Sequence, residues 1–272
     1  MKYIKFKSGD EIPVIGLGTW KLTGETCTYA VRNAFEIGYR HIDTADVYGN
    51  HQDIAPVLEE TELERNDLFI TSKVHRMNLR YNDLINTAER LLDELGLDYL
   101  DLLLIHWPNK EIPTEETLKA LSELKDEGTV RNIGVSNFTI DHLKEALEYD
   151  EDLIVTNQVE FHPYLYQKEL LEFCQDNNIV LTAYSPLGSG EIFKDKRVTD
   201  LADKYNINPG QLVLRWLVEK DIIVIPKASS LGHLKENFNI FNWEMPLEVV
   251  EVLDNLDRNE RFVCPPFNEF KH

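Results

Sequence analysis

Four side chains carry reactive groups at points where short apolar runs break off. Asp43 and Tyr48 follow the start of HIDTADVYGN, Lys73 lies near the end of LFITSKV, and His106 follows LDLLLI just ahead of Trp107 and Pro108. An aspartate and a lysine brought together form an ion pair, and a cation held near a phenol favours phenolate. That lowers the Tyr48 pKa from its ordinary value of about 10 and makes it a usable proton donor. A histidine at the same mouth donates a hydrogen bond to a carbonyl oxygen and stabilises the negative charge that grows when hydride attacks its carbon. Such chemistry needs a separate hydride source. Taken singly, each residue has an ordinary structural use, as an ion pair or as a packed ring with one hydrogen bond. Only the set of four changes that balance.

The elements that must bring them together are short and regularly spaced. Apolar or β-branched runs begin near Val14, His41, Leu68, Leu100, Arg131, Ile154, Ile179 and Ile222, which gives eight candidate strands. Stretches between them carry apolar residues at helical spacing, as at Leu84, Ala88, Leu91, Leu92 and Leu95, or at Leu118, Leu121 and Leu124. This α/β alternation fits either a closed (β/α)8 barrel or a doubly wound sheet. A dinucleotide-binding sheet carries Gly-x-Gly-x-x-Gly after its first strand, and neither Gly16 with Gly18 nor Gly188 with Gly190 has the third glycine. The pattern therefore favours the barrel, whose strand ends converge on one face. Two pieces stand outside the repeat. YIKFKSGDEIPVIGLG reads as a β-hairpin capping the bottom of the barrel, and PLEVVEVLDNL from Pro246 as an extra C-terminal helix. No Ser-, Pro- or Gly-rich linker divides residues 1–272, so a single domain is expected.

Composition narrows the partners. Forty-eight acidic against 28 basic residues leave a formal charge of −20, which argues against nucleic acid and anionic membranes; any anionic ligand needs a local basic pocket. No run approaches the roughly 18 unbroken apolar residues of a spanning helix, and MKYIKFKSGDEIP lacks the apolar stretch of a signal peptide. A cytoplasmic protein is expected. Cys27, Cys174 and Cys264 are odd in number and scattered, as reduced thiols are.

The segments GLGTWKL, HIDTADVYGN, ITSKV, LLLIHWP, IGVSNF, NQVEFHPY, YSPLGSG and IPKASSLGHLKENF, spanning Gly16 to Asn237, resemble the aldo-keto reductase family. The resemblance implies a TIM barrel that binds a nicotinamide dinucleotide without a Rossmann motif. It implies a catalytic tetrad of Asp43, Tyr48, Lys73 and His106, with Tyr48 the proton donor. It also implies that Tyr184 stacks on the nicotinamide, that Ser136, Asn137 and Gln158 hold its carboxamide, and that Thr19, Trp20 and Asp43 lie alongside it. By the same resemblance Ser185, Leu187 and Ser189 cover the pyrophosphate, Lys227, Ser229 and Ser230 meet the adenosine 2′-phosphate, and Glu236 with Asn237 hold adenine. One departure stands out: His233 occupies the place of an arginine that often grips that phosphate, and Ala228 that of a serine. An arginine is permanently charged whereas an ordinary histidine is only partly so at neutral pH. NADPH remains the favoured cofactor, with NADH as the alternative.

Trp20, Val47 and Trp107 are expected to make an aromatic funnel around Tyr48 and His106 that admits a small-molecule carbonyl substrate. The tail RFVCPPFNEF from Arg261 resembles the family's variable last loop in a short form, implying an open pocket. The leading expectation is an NAD(P)H-dependent enzyme reducing aldehydes or ketones to alcohols. Alternatives are alcohol oxidation in the cell, or a cofactor-binding regulatory or structural role on the same fold. Metal chemistry at His41, Asp43, His106 or His162 is disfavoured, since the spacing is wrong for a ligand set and Lys73 adds an opposing charge. No metal is expected, and a monomer is the default.

Overall fold

A computed structural model describes residues 2–270. Strands β1 (Tyr3–Lys5) and β2 (Glu11–Pro13) pair antiparallel, their turn closed by Phe6 N–H to Asp10 O at 2.8 Å. This hairpin is a plug. Its Phe6 and Ile12 are buried against Phe69, Leu102, Leu104, Val155 and Ile223 inside the barrel; Phe69 and Ile223 open their strands, so the plug lies at the N-terminal end.

Eight parallel strands follow in sequence order: β3 (Leu17–Gly18), β4 (His41–Asp43), β5 (Phe69–Val74), β6 (Leu100–Ile105), β7 (Val130–Ser136), β8 (Ile154–Glu160), β9 (Val180–Tyr184) and β10 (Ile223–Val224). Nearly all of their residues are buried, polar ones included, because both faces are covered, one by the interior and one by helices. The first and last strands meet across a narrow seam. Gly16 N–H donates to Val224 O at 2.9 Å, Val224 N–H to Val14 O at 2.9 Å and Gly18 N–H to Pro226 O at 3.3 Å, closing the barrel. Glycine is required there, since a Cβ on Gly18 would fall 2.5 Å from Ile225 O.

Helices α1 (Gly24–Ile37), α2 (His51–Glu60), α3 (Tyr81–Leu95), α4 (Thr114–Asp126), α5 (Ile140–Tyr149) and α6 (Lys168–Asp176) alternate with the strands. Helix α3 shows why: Leu84, Thr87, Ala88, Leu91, Leu92 and Leu95 form one buried stripe, and Gly96 ends it at φ 66°. Between β9 and β10 come α7 (Lys196–Tyr205) and α8 (Pro209–Val218), and after β10 come α9 (Leu231–Phe238) and α10 (Leu247–Asp254). The C-terminal helix is where the sequence put it. Helix α7 is a third piece outside the repeat. Its buried stripe is only Val198, Leu201 and Ala202, too short to register as a separate period, although Asp195 caps it by accepting from Arg197 N–H. Among the described residues no helix is long and apolar enough to cross a membrane.

Candidate active site

The C-terminal strand ends surround a cavity of about 500 Å³ whose floor is polar and whose rim is aromatic. Asp43 closes β4 and Lys73 is the penultimate residue of β5, one strand over. Their side chains are 2% and 0% exposed, and Lys73 Nζ donates to Asp43 Oδ1 at 2.5 Å and to Thr44 O at 2.8 Å. The second carboxylate oxygen of Asp43 accepts from Gln158 Nε2 at 2.7 Å. Both carboxylate oxygens of Asp43 thus accept a hydrogen bond and the ammonium donates two, the kind of support a buried ion pair requires.

Tyr48 arrives on the short 3-10 turn Asp46–Tyr48, which Gly49 ends at φ 63°. Asn50 fastens that loop, its amide donating to Thr19 O at 3.0 Å and Leu22 O at 2.9 Å while Thr44 Oγ1 donates to its carbonyl at 2.7 Å. Lys73 Nζ lies 5.1 Å from the centre of the Tyr48 ring, and the His106 ring meets Tyr48 edge-on at 5.8 Å. All four reactive residues therefore converge, three of them on the cavity wall and Lys73 beneath it.

Protonation states follow from burial. Desolvation drives the Lys73 ammonium below its usual pKa, against the pull of Asp43. Burial, helped by Lys73 and then His75, pushes His106 well below the histidine range, so its ring is neutral. Its Nδ1 is buried without a partner among the described residues; an orphaned N–H there is the costlier choice, so the proton belongs on Nε2. Tyr48 departs from the sequence expectation. Burial, and then the Asp43 carboxylate, raise its pKa instead of Lys73 lowering it, because Asp43 neutralises the lysine and leaves the phenol facing a desolvated surrounding. The phenol stays protonated, as a proton donor must.

Around this core Ser136 ends β7 and Asn137 follows at φ 62°. Asn137 Nδ2 donates to His106 O at 3.0 Å and to Ser136 Oγ at 2.9 Å, while the Tyr184 hydroxyl donates to Asn137 Oδ1 at 2.8 Å. Thr19, Trp20, Val47, Trp107, Ser185 and Lys227 also line the cavity, with Trp20 48% and Val47 52% exposed at its rim. Lys227 has no acidic partner among the described residues. Leu187, Ser189, Ser230, His233, Glu236 and Asn237 do not line it, and Ser229 borders a separate depression beside Gly24 and Asp53. Ser230 instead caps α9, accepting from His233 N–H at 3.3 Å. Residues not anticipated as lining are Gly18, Ile225, Phe262, Val263, Cys264, Pro265 and Phe267. The last five come from the tail RFVCPPFNEF, the segment that resembles the family's last loop, although none of its residues was singled out individually. No three His, Cys, Asp or Glu side chains among the described residues are grouped to hold a metal ion, and His162 hydrogen-bonds Glu160 at 3.1 Å.

The Aldo/keto reductase family model matches residues 14–258. A glyoxal reductase of Bacillus subtilis (strain 168) is 40% identical over 259 residues, covering 95% of this chain and 94% of that protein. A 9,11-endoperoxide prostaglandin H2 reductase of Trypanosoma cruzi (strain CL Brener) is 40% identical over 263 residues, covering 95% and 93%. Among solved structures, a putative 2,5-diketo-D-gluconic acid reductase B superposes with a TM-score of 0.96 at 34% identity, covering 100% of this chain and 98% of that one. The chain belongs to the aldo/keto reductase family and has its TIM-barrel fold. It is an oxidoreductase that reduces carbonyl compounds to alcohols with a nicotinamide cofactor.

Proposed function

We propose that this enzyme reduces small aldehydes and ketones, with NADPH as the favoured hydride source and NADH as the alternative. The observation that carries the assignment of roles is the buried Asp43–Lys73 pair beneath the Tyr48 ring, with His106 edge-on to it at the cavity wall. The cavity suits the cofactor's reactive end: Tyr184 offers an aromatic surface, and Ser136, Asn137 and Gln158 offer hydroxyl and amide partners for a carboxamide. Gln158 Oε1 takes no hydrogen bond from the described residues and is the natural acceptor. Lys227 marks where the dinucleotide continues toward Ser229, Ser230, His233, Glu236 and Asn237, with Ser185, Leu187 and Ser189 covering its middle.

Bound there, a reduced nicotinamide supplies hydride to a carbonyl carbon. The chain's own residues do the rest. His106 Nε2–H orients the carbonyl oxygen, and the Tyr48 hydroxyl gives it a proton as charge accumulates. The neutralised Lys73–Asp43 pair fixes the phenol from below. Trp20, Val47 and Trp107 hold the substrate's apolar part. The relative named for glyoxal, a small dicarbonyl, supports a pocket for carbonyl compounds. This reading takes residues 1–272 as one barrel domain acting as a monomer in the cytoplasm.

The test is the initial rate of 4-nitrobenzaldehyde reduction with NADPH and NADH titrated side by side, on wild type and Tyr48→Phe. The variant is expected to lose roughly 10²- to 10⁴-fold in kcat while cofactor affinity holds, since it loses one proton and little contact area. Full activity in Tyr48→Phe would remove it as the acid.

A further inference from the structure

Glu160, the last residue of β8, is a buried acid that the reduction does not use, and its side chain is 0% exposed. One oxygen accepts from Phe262 N–H at 2.8 Å and from His162 Nε2 at 3.1 Å; the other accepts from Val263 N–H at 3.0 Å. The Arg261 guanidinium, its side chain 5% exposed, stands 3.8 Å from that second oxygen. Gln167 locks the arrangement, donating to Glu160 O at 2.7 Å and accepting from Arg261 Nη2 at 3.1 Å.

The tail that leaves this anchor has no helix or strand through Phe270 to fix its path. It nevertheless supplies Phe262, Val263, Cys264, Pro265 and Phe267 to the cavity, and reaches Trp107 on the far side through Phe267, edge-on at 5.4 Å. Its position must come from such side-chain attachments; Glu160 supplies the fully buried charged one, and the buried His162 ring packs beside it on Phe262 at 5.2 Å. Two consecutive backbone N–H groups bound by one carboxylate form a rigid, charge-assisted fork.

We infer that Glu160 is a positioning residue that sets the tail as one wall of the carbonyl pocket, and so tunes the fit of bulky substrates without touching them. Glutamine has nearly the same shape but one acceptor fewer, and would turn its NH2 against a backbone N–H. Glu160→Gln therefore releases the tail while conserving core volume.

Hydrogen exchange resolved to the 262–267 segment tests the anchor independently of turnover. In wild type the Phe262 and Val263 amides are expected to be protected, and in Glu160→Gln their exchange rises about tenfold or more. Unprotected amides in wild type overturn the proposal even if the variant does not fold. The kinetic arm rests on the reductase reading. In Glu160→Gln, KM for 4-nitrobenzaldehyde is expected to rise about tenfold, the scale of one charge-assisted hydrogen bond, while kcat, the NADPH Kd and KM for propanal stay within about twofold. Failure of wild type to turn over would count against that reading and leave the exchange result standing. Unchanged exchange, or an equal loss with both aldehydes, overturns the role given to Glu160.

Discussion

The Asp43–Lys73 pair offers a way to separate stability from chemistry at one site. Both side chains are essentially solvent-free and bonded at 2.5 Å, so removing one partner strands a charge that cannot reach water. Asp43→Asn leaves the ammonium with Thr44 O and a neutral amide; Lys73→Met leaves the carboxylate with only Gln158. Breaking a buried pair in this way costs about 3–5 kcal/mol. For a chain this long that corresponds to roughly 6–10 °C in Tm, taking the low end of the usual conversion. Combining the two substitutions removes both charges together, and the double variant is expected to regain most of that loss. Activity behaves differently: each single variant and the double are expected to lose about 100-fold or more in kcat, because the phenol has lost its support. Thermal melts and steady-state kinetics on the three variants decide it. A double variant no more stable than the worse single would refute the pair as an interacting unit, and one with near wild-type kcat would refute its part in the chemistry.

Two further outcomes follow from single residues. His41, packed against Phe69 with Nε2 3.1 Å from Thr71 Oγ1, is pushed down to about 4 by burial, against the pull of Asp43. Below about 6.5 the unfolded chain takes up a proton that the folded one refuses, so stability falls from about pH 6.5 to about pH 4, by roughly 3 kcal/mol in all. His41→Asn is expected to flatten that segment in urea melts; parallel pH profiles for variant and wild type would dismiss it. His233→Arg, on the exposed face of α9, is expected to raise the NADPH-over-NADH ratio of kcat/KM about tenfold by adding a permanent charged fork. An unchanged ratio would place the 2′-phosphate elsewhere.

The barrel was legible because its strands are buried on both faces and its helices carry buried stripes. The convergence of Asp43, Tyr48, Lys73 and His106 was legible for a different reason: Asp43, Lys73 and His106 lie at strand ends and Tyr48 on the turn just after one of them, which is a local property. What escaped was long-range or counterbalanced. Nothing near Glu160 announces Phe262 or Val263, about a hundred positions on. The shift of Tyr48 was read with the wrong sign because the lysine was weighed without the burial of the phenol and the aspartate that cancels the lysine's charge. Helix α7 escaped because two turns of apolar spacing look like part of a longer connection.

The seam between β3 and β10 has a consequence for assembly and occupancy. It joins Gly16 to Val224 and Gly18 to Pro226, residues about two hundred apart, through a few hydrogen bonds between two-residue strands. Contacts of such separation are entropically costly to form early, so the cylinder is sealed after its middle strands have paired. Gly18 and Thr19 lie on one side of that suture, Ile225 and Lys227 on the other, and all four face the cavity. Whatever fills the cavity therefore grips both ends of the chain at once, and its binding free energy is also a clasp on the closed ring.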